Sequence, residues 1–73
     1  MWRKIGGEIM NLNLYVARRE SRLTQKELAK AIGVHPQSYH LKETGKSDFT
    51  ITEAKIIAKK LNKTLDEIFW EEH

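Results

Sequence analysis

Three histidines, His35, His40 and His73, ten Asp and Glu residues and no cysteine make up the reactive inventory of this 73-residue sequence. Without cysteine there is no disulfide scaffold, thiolate metal site or thiol nucleophile. His35 and His40 lie five apart, which on one helix separates them by about 140° and prevents them from sharing a metal. No glycine-rich phosphate loop is present, and no nucleophile–base pair has a third group to orient it. A chain this short also leaves little volume for a catalytic pocket. The expectation is a non-enzyme with no catalytic residue, metal, cofactor or small-molecule ligand. Its chemistry is then hydrogen bonding and charge, carried by amides such as Gln25 and Gln37 and by 13 Lys and Arg residues.

Charge is unevenly distributed. The net charge is +3, yet residues 66–73 hold Asp66, Glu67, Glu71 and Glu72 with no Lys or Arg, while residues 1–65 hold all 13 basic residues against six acidic ones. A basic body with an acidic end suits a polyanionic partner. Lysines that simply solvate helix faces would give the same count. Hydrophobic residues at 40% and charged residues at 32% fit a soluble folded chain and not a disordered one. No apolar run approaches the roughly 20 residues of a membrane span. The opening MWRKIGGEI lacks the apolar core of a signal peptide, so a cytoplasmic location is expected. One domain of this size buries only roughly 60% of its unfolded surface, and pairing of two copies is a natural supplement.

Short helices joined by tight turns must position these groups. Helix 1 is expected over residues 11–21, with Leu14, Ala17 and Ser21 inward at i, i+3 and i+7. Thr24 with Glu27, Thr50 with Glu53, and Thr64 with Glu67 are S/T-x-x-E capping boxes that open helices 2, 4 and 5. Leu28, Ala29 and Ile32 form the apolar face of helix 2, which Gly33 ends. Pro36 suits the first position of helix 3, with His35 as its cap, and the helix is expected to run to about Thr44 before Gly45. Helix 4 should face inward through Ile51, Ala54, Ile57, Ala58 and Leu61, and helix 5 through Leu65, Ile68 and Phe69. Only residues 2–9 offer even a weak strand pattern.

The joint between helices 2 and 3 spans residues 32–36 and contains Gly33. Helices joined this closely cross steeply, and Ala29 supplies a small residue for their approach. Val34 points back into the core. This is a helix-turn-helix, whose second helix can enter a major groove. The segment TQKELAKAIGVHPQSYHLKETGK, together with the tail LNKTLDEIF, resembles the Cro and phage-repressor class, the Xre family, from about Leu12 to Phe69. The resemblance implies an all-α, five-helix lambda-repressor-like domain that binds double-stranded operator DNA, usually as a homodimer. Residues 10–73 would form that domain and residues 1–9 an extension.

Helical geometry then divides helix 3. Val34, Ser38 and Tyr39 should face inward, and Pro36, Gln37, His40, Leu41 and Thr44 outward. Pro36, Gln37, His40 and Leu41 are the candidate base contacts. The Gln37 amide suits adenine N6/N7, and Pro36 and Leu41 suit a thymine methyl. Gln25, Thr44 and Lys46 match the family's backbone-binding positions, and charge adds Lys42 and Arg22 as phosphate contacts. Arg18 and Glu43 match a family ion pair tying helix 1 to helix 3. A dimer contact is expected at Leu65, Phe69 and Trp70.

Three positions depart from the family pattern. Tyr39 replaces Ile or Val and needs a route for its hydroxyl. Lys42 replaces an apolar residue. Arg22 replaces a glycine, at a cost of roughly 1 kcal/mol if the position is left-handed. Residues 1–9 suit a DNA arm, a strand pairing with a dimer mate, or the disordered or weakly docked end ordinary for a terminus. The resulting expectation is a sequence-specific transcriptional regulator, a repressor acting as a dimer. The rival is a protein-interaction module, such as an antitoxin, on the same fold.

Overall fold

A computed structural model describes the backbone of residues 2–5 and 8–69, and the side chains of residue 4 and residues 10–69. Among these residues the chain forms a hairpin and five helices: β1 (Trp2–Ile5), β2 (Glu8–Asn11), α1 (Leu12–Glu20), α2 (Gln25–Ile32), α3 (Pro36–Glu43), α4 (Ile51–Lys60) and α5 (Leu65–Phe69). The capping motifs explain the helix starts. Thr24 and Thr50 accept from the N–H groups of Glu27 and Glu53, whose carboxylates accept from the cap N–H groups in return. Thr64 and Glu67 make the same exchange, at 2.9 and 3.1 Å. His35 caps α3 by accepting the Gln37 N–H at its Nδ1, 3.2 Å away.

The helices meet around Leu14, Leu28, Tyr39, Ile57 and Ile68, all fully buried, with Ala17, Ala29, Ala58 and Leu61 filling between them. Three inward assignments differ from the sequence reading. Ser21 is exposed because the helix ends before it and it serves as the C-cap. Ser38 is exposed because Val34 precedes the helix, so helical spacing cannot be carried from one to the other. Ile51 is 69% exposed. As the first residue of α4, its side chain leans back past the helix end and beyond the body. The sequence reading also overlooked Phe49, whose ring sits edge-on to Tyr39 at 5.9 Å and to Phe69 at 5.3 Å.

The N-terminal hairpin adds to the five-helix scheme. β1 and β2 pair antiparallel, with Trp2 opposite Asn11 and Ile5 opposite Glu8. β2 runs directly into α1, and Asn11 belongs to both. It pairs in the strand, and its Oδ1 accepts the Leu14 N–H at 3.2 Å. Asn11 and Met10, at the end of β2, are buried.

Candidate nucleic-acid interface

The turn between α2 and α3 gives the second helix its projection. Gly33 takes φ 72°, the left-handed region that glycine enters without steric cost. A Cβ there would meet nothing within 4 Å, so conformation and not space calls for glycine. The Val34 N–H reaches back to the Ala29 carbonyl at 3.0 Å and closes the turn.

Tyr39 and Glu43 anchor the inner side of α3, and neither has solvent exposure. Glu43 is the hub of a buried polar network. Arg18 Nε donates to its Oε1 at 2.8 Å, and Arg18 Nη2 to its Oε2 at 3.3 Å. The Tyr39 hydroxyl donates to Oε1 at 3.1 Å. The Gln25 amide nitrogen donates to Oε2. Arg18 Nη1 also donates to the Leu23 carbonyl at 3.1 Å, which locks the α1–α2 turn into the same network. Burial first, and the neighbouring Glu43 carboxylate second, push the Tyr39 phenol far above its ordinary range. It therefore stays protonated and remains a donor. Among the described residues, every buried side-chain N or O has a hydrogen-bond partner.

Two of the unusual positions find their partners inside the fold. The Tyr39 hydroxyl finds its partner on Glu43, four residues along the same helix. Lys42 does not face outward with the candidate contacts. Its Nζ donates to the Asp48 carbonyl at 2.8 Å, pairs with Glu53 at 3.0 Å and lies 5.9 Å from the Phe49 ring centre. It ties α3 to the start of α4.

Two other assignments also change. Thr44 is buried, and its hydroxyl points at the His40 and Leu41 carbonyls, 2.9 and 3.2 Å away. In this arrangement its hydroxyl proton is directed within α3. The Gln25 side chain is engaged at both ends, because its amide nitrogen faces Glu43 and its carbonyl accepts from His40 Nδ1 at 3.1 Å. It joins α2 to α3, while the first turn of α2 carries N–H groups without an intrahelical partner.

On the outer side of α3, Pro36, Gln37, Ser38 and Leu41 are exposed and His40 is half-buried. Lys46 is exposed just beyond the helix, where Gly45 at φ 82° turns the chain. At the other end of α3 lies an open groove of about 720 Å³ whose lining includes Arg18, Arg19, Arg22, Lys26 and Pro36. Arg22 stands at φ 57°, in the left-handed region. The sequence reading missed Arg19 and Lys26. Their clustering with Arg22 follows from the α1–α2 turn and not from any helical repeat.

Leu65 and Phe69, assigned to a dimer contact, are half-buried against the chain's own core. Trp70 lies outside the described residues. No helix among the described residues is long and apolar enough to cross a membrane, and no group of His, Asp and Glu among them could hold a metal ion. No curated protein matches the chain. The sequence matches the helix-turn-helix family HTH_3 over residues 14–68, a span that runs from the first buried leucine of α1 into α5. With its helix-turn-helix at α2 and α3, the chain belongs to this Cro/C1-type family of DNA-binding regulators.

Proposed function

We propose that this chain is a transcriptional repressor that binds a near-palindromic operator as a homodimer, with α3 in the major groove. The observation that carries the reading is the two-sided character of α3. Tyr39 and Glu43 fasten one side into the body, while Pro36, Gln37 and Leu41 stand in solvent on the other. Gln37 offers an adenine-reading amide, Pro36 and Leu41 offer apolar contact to a thymine methyl, and His40 borders them. Lys46, Arg22 and the N–H groups at the start of α2 meet phosphates. One such module buries limited surface, so useful affinity calls for two copies, with half-sites roughly 34 Å apart. The end of the chain around α5 supplies the contact between copies, and its acidic residues stay clear of the duplex.

A salt titration on duplex DNA tests this. The logarithm of affinity should fall linearly with the logarithm of salt concentration. Gln37→Ala should lower discrimination between operator variants, and Lys46→Ala should weaken all sequences alike and make the salt slope shallower by about 1. Equal, sequence-blind losses from both would contradict the assignment of roles. No duplex binding at low salt would favour a protein partner instead.

A further inference from the structure

We infer that the buried Glu43 carboxylate, acting through Gln25, holds the His40 imidazole as its Nδ1–H tautomer, so that His40 meets the major groove as a hydrogen-bond acceptor and selects a base with an exocyclic amino group, cytosine or adenine. The inference rests on the DNA-binding reading above and deepens it, because it gives a chemical preference to a side chain on the border of the base contacts.

Polarity starts at Glu43. A carboxylate paired with a guanidinium only accepts. Glu43 receives Arg18 Nε at 2.8 Å and the Tyr39 hydroxyl at 3.1 Å on Oε1, and Arg18 Nη2 at 3.3 Å on Oε2. The end of the Gln25 amide that faces Oε2 must therefore be its NH2 group. The end that faces His40 Nδ1, at 3.1 Å, is then the carbonyl. A carbonyl cannot donate, so Nδ1 carries the proton. In a neutral imidazole one nitrogen donates and the other accepts, which makes Nε2 of His40 an acceptor.

His35 provides the contrast within the same helix. Its Nδ1 accepts the Gln37 N–H at 3.2 Å, so in the neutral ring its proton sits on Nε2. α3 therefore carries two imidazoles of opposite polarity, His35 at its cap and His40 five residues on.

Placement and polarity together point to a base. His40 lies three residues after Gln37 and next to Leu41, and side chains three apart on a helix share a face. Gln37 and Leu41 are both exposed on that side. A backbone phosphate has no proton to give, so an acceptor nitrogen gains nothing from it. The donors in the major groove are the amino groups at cytosine N4 and adenine N6, whereas guanine N7 and O6 and thymine O4 accept. His40 thus favours cytosine or adenine over guanine or thymine on the strand it faces.

Nitrogen NMR of the isotope-labelled full chain, in mildly alkaline buffer, reads the tautomers directly. His40 should show a protonated Nδ1 and an unprotonated Nε2, and His35 the reverse, with His40→Ala and His35→Ala identifying the signals. Gln25→Ala removes the acceptor for Nδ1–H, so its His40 signals should move toward a mixture of tautomers. On a duplex selected from random double-stranded DNA, His40→Ala should lose preference at one base pair in each half-site. Gln25→Ala should relax preference at the same pair although it keeps the imidazole. An analogue of adenine or cytosine that lacks the amino group, placed at that pair, should weaken the parent about three- to ten-fold and leave His40→Ala unaffected. A protonated Nε2 on His40 in the parent, or a preference for guanine or thymine at the position sensitive to His40→Ala, would overturn the relay while leaving DNA binding intact. Failure of the parent to bind any duplex at low salt would instead overturn the reading on which the acceptor role rests.

Discussion

Glu43 is a carboxylate without solvent exposure that accepts from Arg18, Tyr39 and Gln25. A buried charge of this kind is tolerable only while its partners stay in place. Arg18→Ala leaves Glu43 buried without its cation and should cost about 3–5 kcal/mol. Small domains hold only about 0.05–0.15 kcal/mol per residue, so this variant should lose a third or more of its stability, read as a lowered urea midpoint by circular dichroism. Tyr39→Phe removes one donor of several and keeps the ring in the core. Its cost should be about 1–2 kcal/mol in urea unfolding. Equal and small effects from the two would mean that Glu43 is not held as a buried charge. Pairing of Arg18 with Glu43 was legible in the sequence because both residues sit at matching family positions. Recruitment of Gln25 was not, because its glutamine matches a backbone-binding position and nothing local shows that its amide turns inward. The partners of Thr44 and Lys42 were not legible either. Helical spacing placed Thr44 outward and charge alone singled out Lys42, but Thr44 bonds back to its own helix and Lys42 reaches Asp48 and Glu53, which are contacts that neither signal encodes.

The elements were legible where their signals are local. A capping box or a left-handed glycine needs only a few neighbouring residues, and the helix starts after Thr24, Thr50 and Thr64 and the stop at Gly33 were all readable on that basis. The β1–β2 hairpin was not, because its four-residue strands are too short for alternation to stand out. Ile51 was misplaced because the helical repeat says nothing about where a helix end meets solvent. The capping boxes also contribute to the acid dependence of stability. The N–H groups of Thr50 and Thr64 hold the Glu53 and Glu67 carboxyls below their ordinary range, and Lys42 adds to the effect at Glu53. A carboxyl depressed in the folded state contributes stability that is present above its unfolded value and is lost as pH falls through its folded value. Urea midpoints should therefore drop between about pH 5 and pH 3. The double variant Glu53→Gln, Glu67→Gln should flatten that limb while lowering the midpoint at neutral pH. An unchanged limb would mean that other carboxylates set it.

At the scale of the whole molecule, the outer side of α3 and the basic α1–α2 turn flank one buried network. α3 presents Gln37 and Leu41 outward because Tyr39 and Glu43 hold its other side. Arg18 links the same network to the turn that carries Arg22 and to the cationic groove. The outer side of α3 and the α1–α2 turn are thus braced by one set of hydrogen bonds. The central claim is that the outer side of α3 reads base pairs, and selection from random duplexes tests it most directly when parent and Gln37→Ala are run side by side. The parent should enrich a near-palindrome with half-sites about one helical turn apart, and Gln37→Ala should lose preference at one position in each half-site while keeping the rest. An identical motif from both proteins, or enrichment of no motif by the parent, would contradict it.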